Sequence, residues 1–162
     1  MPKNISETKK KLDIIKRVCT ACKADCCKMG GAEFTKSEMQ KVVSAGHLSH
    51  FRKISEDHYE TATHDGVCAY LGKDNLCSIH SLRPKMCKGW PVHLDFKDGK
   101  KIYLLMSCPL TSYLSEKEIN VMKKQMSGYT EEVLFCNGTK MNAEETKKVV
   151  AKYEKYKMKI LD

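Results

Sequence analysis

Eight of the nine cysteines in this chain form an ordered constellation: Cys19-x2-Cys22-x3-Cys26-Cys27, then Cys68-x8-Cys77-x9-Cys87, then Cys108-Pro109. Thiolates are soft, charged donors that bind zinc and iron tightly, and two of them spaced by two residues can wrap one ion with little backbone strain. A zinc ribbon needs two such short knuckles, and only one is present. A four-iron cluster instead takes closely spaced cysteines plus a distant one followed by proline, which Cys19, Cys22, one of Cys26/Cys27 and Cys108-Pro109 match. Neighbours in an extended segment point to opposite faces, so Cys26 and Cys27 are expected to serve two sites, the second completed by Cys68, Cys77 and Cys87. Zinc in one site and an iron-sulfur cluster in the other fits the spacing equally well. Cys136, inside Val133-Leu134-Phe135-Cys136, lies outside the constellation and reads as a buried apolar residue.

Three other side chains stand near the cysteines in sequence. His80 is close enough to Cys77 to be a substitute ligand. Arg83-Pro84 places a guanidinium that can donate to cluster sulfurs, hold an anionic substrate, or tie down a nearby carboxylate. The sole tryptophan, Trp90, is either a lid over the metal site or a core residue. His47 and His50 follow the end of a helix and read as surface residues, and His58, His64 and His93 carry no ligand spacing.

These residues need elements to hold them. Asn4-Ile5-Ser6-Glu7 reads as a capping box opening a helix with Leu12, Ile15, Val18, Cys19 and Cys22 on one stripe, so its last turns present the first cysteine pair. Lys28-Met29-Gly30-Gly31 breaks it. Thr35-Lys36-Ser37-Glu38 opens a second helix ending at Gly46. Residues 47–66 show no clean period and read as loop with at most one short strand. Val67–Leu71 and Leu76–His80 flank a four-residue turn, a hairpin that would bring Cys68 and Cys77 together. Val92–Phe96 and Ile102–Met106 form a second hairpin around Asp98-Gly99. Helices then open at Ser115-Glu116-Lys117-Glu118, running to about Met126, and at Asn142-Ala143-Glu144-Glu145, running to about Met158. The paired acids Glu131-Glu132 and Glu144-Glu145 suit helix starts and need no catalytic role. The expectation is an α+β fold, one small domain over residues 1–162, with terminal helices around an irregular cysteine-rich centre and two short β-hairpins.

Composition limits the function. The formal charge of +9 in 162 residues invites a nucleic-acid reading, but the lysines are dispersed along helices and alternate with Glu, and no aromatic-plus-basic stripe or base-reading motif accompanies them. No apolar run approaches the ~18 residues of a membrane span. The first residues lack the apolar centre of a signal peptide, which points to the cytoplasm, where thiols stay reduced and an odd set of cysteines is better explained by metal than by disulfides. No Ser/His/Asp order, HExxH, phosphate loop or GxGxxG is present.

The chain resembles the YkgJ-like cysteine-cluster family, whose pattern combines a CxxCxxCC-type motif with a cysteine and apolar pair, a Cys-Ser-Ile-Tyr segment, Arg-Pro and a further cysteine. Cys19, Cys22, Cys26 and Cys27, Cys68-Ala69-Tyr70-Leu71, Cys77-Ser78-Ile79-His80, Arg83-Pro84, Cys87 and Cys108-Pro109 carry the resemblance. Three residues instead of two separate Cys22 from Cys26, and His80 replaces the usual tyrosine. The resemblance implies a zinc- or iron-chelating domain. Its better-understood relatives resemble flagellin lysine N-methylases, which implies S-adenosylmethionine, an iron-sulfur cluster and a peptide or protein substrate. The residues alone leave three readings open: a cluster-dependent enzyme, a structural zinc or adaptor module, and an iron or zinc storage or delivery protein. The sequence leaves the catalytic residues and the oligomeric state unassigned.

Overall fold

A computed structural model describes residues 5–131, 133 and 143–161. Asn4, Glu132, Leu134, Phe135, Cys136 and Asn142, named above, lie outside them. The first helix, α1 (Ile5–Ala21), buries Val18 and meets the rest of the chain chiefly at a 3-10 turn, Pro109–Tyr113. An ion pair between Lys11 and Glu118 adds a second tie. The helix ends at two consecutive left-handed residues, Lys23 (φ 59°) and Ala24 (φ 50°), with the Ala24 N–H donating to the Cys19 carbonyl at 2.9 Å. Left-handed backbone is costly for residues with a Cβ, and here it reverses the chain into a 3-10 helix, Asp25–Lys28, that carries Cys26 and Cys27.

Strand β1 (Glu33–Thr35) runs directly into α2 (Lys36–Ser44). The expected capping box is formed: Thr35 Oγ1 accepts from the Glu38 N–H, and Glu38 Oε2 accepts from the Thr35 N–H at 3.0 Å. Glu38 also accepts the Lys85 N–H at 3.0 Å, tying this helix start to the beginning of α3 (Lys85–Gly89).

Residues 47–66 hold more structure than their sequence signals. Strands β2 (Phe51–Lys53) and β3 (His58–Thr61) join β1 in an antiparallel sheet ordered β1-β3-β2. Next, β4 (Thr63–His64) turns through Asp65 and Gly66, both at positive φ, into β5 (Val67–Cys68). Val67–Cys68 therefore pairs backward with β4. The runs around Gly72–Asn75 still fold back on each other, through one bridge, Leu71 to Cys77, and the Gly72 N–H donating to the Leu76 carbonyl at 2.8 Å.

The second hairpin, β6 (Val92–Lys97) and β7 (Lys100–Met106), closes tightly at Asp98 and Gly99, both at positive φ. Helix α4 (Glu116–Met126) starts from a Ser115/Glu118 capping box. Helix α5 (Ala143–Tyr153) is shorter than its sequence implies. Instead of continuing to Met158, the chain turns and adds β8 (Met158–Leu161) antiparallel to β7. The Ser107 and Lys157 backbones and the Ser107 hydroxyl zip the entry to this strand, and the open edge of β7 outweighs local helix preference.

One core cluster holds Ala32, Phe34, Val42, Tyr70 and Ile79, with Cys68, Cys77 and Cys87 packed against it. Another joins Leu94, Met126 and Tyr129. None of the described helices is long and apolar enough to cross a membrane.

Candidate metal centre

Each segment delivers its cysteines to one place. Cys19 comes from the last turn of α1 and Cys22 from the residue just after it, Cys26 and Cys27 from the 3-10 helix that follows, and Cys68 from the end of β5. Cys77 sits in the bridge with Leu71, Cys87 in α3 behind Pro84, and Cys108 before the Pro109 turn. All eight are free thiols and half-buried. Cys19, Cys26, Cys27, Cys68, Cys77, Cys87 and Cys108 line a single cavity of about 370 Å³. Cys22 stands beside it, its thiol donating to the Cys19 carbonyl at 3.4 Å.

The expected facing of Cys26 and Cys27 needs correction. They lie in a 3-10 helix, where successive side chains are about 120° apart, and both border the same cavity. The Cys26 thiol donates to Cys27, which together with burial holds Cys26 well above the ordinary thiol range.

Proximity sorts the other thiols into two neighbourhoods. Cys19 is pushed up to about 11 by burial and then by Cys26, Cys22 and Cys108. Cys108 is raised by burial and feels Cys26 and Cys22. On the other side, Cys77 and Cys87 are raised by burial, Cys77 feels Cys68 and Cys26, and Cys87 feels Cys68, Cys26 and Cys77. Cys26 belongs to both. The guanidinium of Arg83 opposes these shifts at Cys19, Cys26, Cys77 and Cys87, and Lys16 and Lys88 also line the cavity. The Arg83 Nε donates to the His80 carbonyl at 3.0 Å, which fixes the side chain inward.

Two buried polar atoms in the wall lack a partner: Nε2 of His80 and Nε1 of Trp90. Burial, followed by the nearby Arg83 and Lys16 charges, pushes His80 down to about 4, so its ring is neutral. The Trp90 indole N–H is near enough to Cys108 to favour its thiolate, and Tyr156 packs edge-on against the indole at 5.6 Å. Trp90 is thus a wall of the cavity with its indole N–H near Cys108.

Sequence reasoning missed the carboxylates. Glu33 and Glu60 face each other across β1 and β3 and both line the cavity. Glu60, 1% exposed, pairs with Arg52 at 3.2 Å. Glu33 contacts Nε2 of His58 closely, and burial raises its carboxyl to about 7 while lowering His58. Burial thus favours the neutral form of both groups. Alternation in Glu33-Phe34-Thr35 points to Phe34 alone as inward, and Glu33 is buried on the opposite face as well, so nothing in the local sequence marks it. His50 stacks edge-on with Tyr70 at 5.2 Å.

No three His, Cys, Asp or Glu side chains among the described residues are drawn together as a ready-made site for one ion. The donors surround a space that would take about a dozen waters at ~30 Å³ each. Seven thiols, the buried and unpartnered ring nitrogens of His80 and Trp90, and the Arg83 side chain line this space and fit a thiolate-bound metal group. These are the features of a cysteine-rich metal chelator. A family model for the CxxCxxCC domain, described as zinc- or iron-chelating, matches residues 18–125, and the chain belongs to that family. Neither the curated proteins nor the solved structures compared with the chain give a match.

Proposed function

We propose that the cavity is the seat of an iron-sulfur cluster, held by Cys19, Cys22, Cys26 and Cys108, with Cys68, Cys77 and Cys87 forming a second donor set beside it. The carrying observation is the ring of seven cysteines, Cys27 among them, around about 370 Å³ of shared space with Cys22 just outside it, which suits a group of several atoms better than a lone ion. Such a cluster supplies electron transfer or Lewis-acid chemistry. The chain's own part is to exclude water with Met29, Leu110 and Met126, to offset thiolate charge with Arg83, and to donate to Cys108 from Trp90. Half-buried, inward thiols favour retention over delivery of the metal. A reducing, cytoplasmic setting is part of this proposal.

Structural zinc is the second reading, favoured by ligands drawn from three distant segments that a metal would fasten together. Protein purified without oxygen, with its absorption spectrum recorded and iron, zinc and acid-labile sulfide counted, separates the two. A brown band near ~400 nm with sulfide equal to iron supports the cluster. Colourless protein with stoichiometric zinc replaces it with the structural reading. An enzyme acting on a peptide or protein further needs an open coordination position, and S-adenosylmethionine added to the loaded protein should then change the cluster's spectrum. An unchanged spectrum removes that role for S-adenosylmethionine.

A further inference from the structure

The last strand of the β6-β7-β8 sheet carries an edge that the described chain does not use. Among the described residues β8 pairs with β7 alone. Lys157, just ahead of the strand, turns toward β7: its carbonyl accepts from the Ser107 N–H at 2.9 Å and its N–H donates to the Ser107 hydroxyl at 3.0 Å. Met106, opposite Met158 in the register, turns the other way and donates to the Pro91 carbonyl at 3.0 Å. Backbone groups alternate in direction along an antiparallel strand, so the N–H and C=O of Met158 and Ile160 point away from β7. Both residues are exposed, at 55% and 65%. They lie outside the cavity lining and outside the matched residues 18–125, so nothing at this edge depends on what the cavity holds.

Charge selects the occupant. Residues 155–161 contain Lys155, Lys157 and Lys159 and no acid, with Glu154 and Asp162 flanking them in sequence. If two copies paired antiparallel, Met158 of each against Ile160 of the other, their Lys159 side chains would stand directly opposed, and like charges opposite one another destabilise a strand pair. Centring the pair on Met158 sets Lys157 against Lys159, and centring it on Ile160 leaves Lys159 facing Leu161. Lysine on an open edge thus discourages self-association. An incoming strand with an acid opposite Lys159 gains a cross-strand charge pair instead, and its apolar side chains would cover Met158 and Ile160.

We propose that the outer edge of β8 docks an extended acidic peptide segment of another protein, added as a fourth strand, with acids opposite the lysines and apolar residues opposite Met158 and Ile160. The full chain, purified without oxygen, is used to select binders from a displayed library of random peptides. The selected peptide, synthesised with a fluorophore, is then titrated by anisotropy against wild type, Lys159→Glu and Ile160→Pro. The expected binders alternate acidic and apolar residues. Lys159→Glu should weaken them about threefold or more. Ile160→Pro removes an outward N–H and no bond to β7, and should weaken them about fivefold or more. Lys159→Glu, an exposed substitution, decides the matter even if the proline disturbs the strand. A library that yields no binder, binders that are basic or unpatterned, or acidic binders that hold Lys159→Glu as tightly as wild type overturn the assignment. Wild type that sediments as a dimer while Ile160→Pro is a monomer gives the edge to a second copy and overturns it as well.

Discussion

Replacing Glu33 by Gln isolates the energetic consequence of burying an acid at the cavity wall. Glu33 is 8% exposed, and burial raises its carboxyl from 4.5 to about 7. A carboxyl whose folded value is raised binds more protons folded than unfolded, so its contribution is least costly below about pH 4.5 and stability falls as pH rises toward and through 7. At 1.36 kcal/mol per pH unit the full penalty is about 3 kcal/mol, of which roughly 2.5 kcal/mol develops between pH 5 and pH 8. Gln mimics the protonated acid, and its amide can donate to His58 Nε2 as the carboxyl does. Urea unfolding of metal-saturated wild type and Glu33→Gln at both pH values, compared as a difference, cancels the thiol and metal contributions common to both. The variant should be slightly more stable at pH 5 and more stable by up to about 3 kcal/mol at pH 8. A difference that does not change with pH, or that grows toward acid, refutes the neutral Glu33–His58 pair.

Gly31→Ala should destabilise the fold by about 1–3 kcal/mol, because its Cβ would stand 2.5 Å from the Thr61 backbone carbonyl, whereas Gly128→Ala, with open space around it, should not; thermal melts compare them. Trp90→Phe keeps the aromatic wall but removes the N–H near Cys108, and competition with a chromophoric chelator should show metal affinity reduced by about tenfold or more. Loading the metal-free chain should release protons into a weakly buffered solution, since burial holds Cys19, Cys77, Cys87 and Cys108 protonated near neutrality and ligation requires the thiolates. Stripping the metal with a strong chelator should lower the melting temperature, and an unchanged melt would detach the centre from folding.

Features written in short stretches of chain were legible. The Thr35/Glu38 and Ser115/Glu118 boxes, the Asp98-Gly99 turn and the order of the cysteines each depend on residues a few positions apart. What escaped was set by distant partners. Met158–Leu161 becomes a strand because β7 offers an edge more than fifty residues upstream in the chain, and Glu60 is buried because Arg52 accompanies it on the neighbouring strand. The facing of Cys26 and Cys27 turned on left-handed backbone at Lys23 and Ala24, neither of which is a glycine that would advertise it. Trp90 read as lid or core because its sulfur neighbour, Cys108, is brought alongside only by the β6–β7 hairpin between them.

The way α1 is attached has a consequence for the life of the protein before it acquires metal. This helix meets the folded body chiefly at the turn that begins right after Cys108, and its own end carries Cys19 and Cys22. A metal shared by these cysteines would be a clasp closing an arm of the chain across nearly its whole cysteine-bearing length. Crosslinks over spans of roughly 100 residues restrict the unfolded chain by about 4–5 kcal/mol. An unloaded chain lacks this clasp, so α1 would leave the folded body more readily before metal arrives than after it.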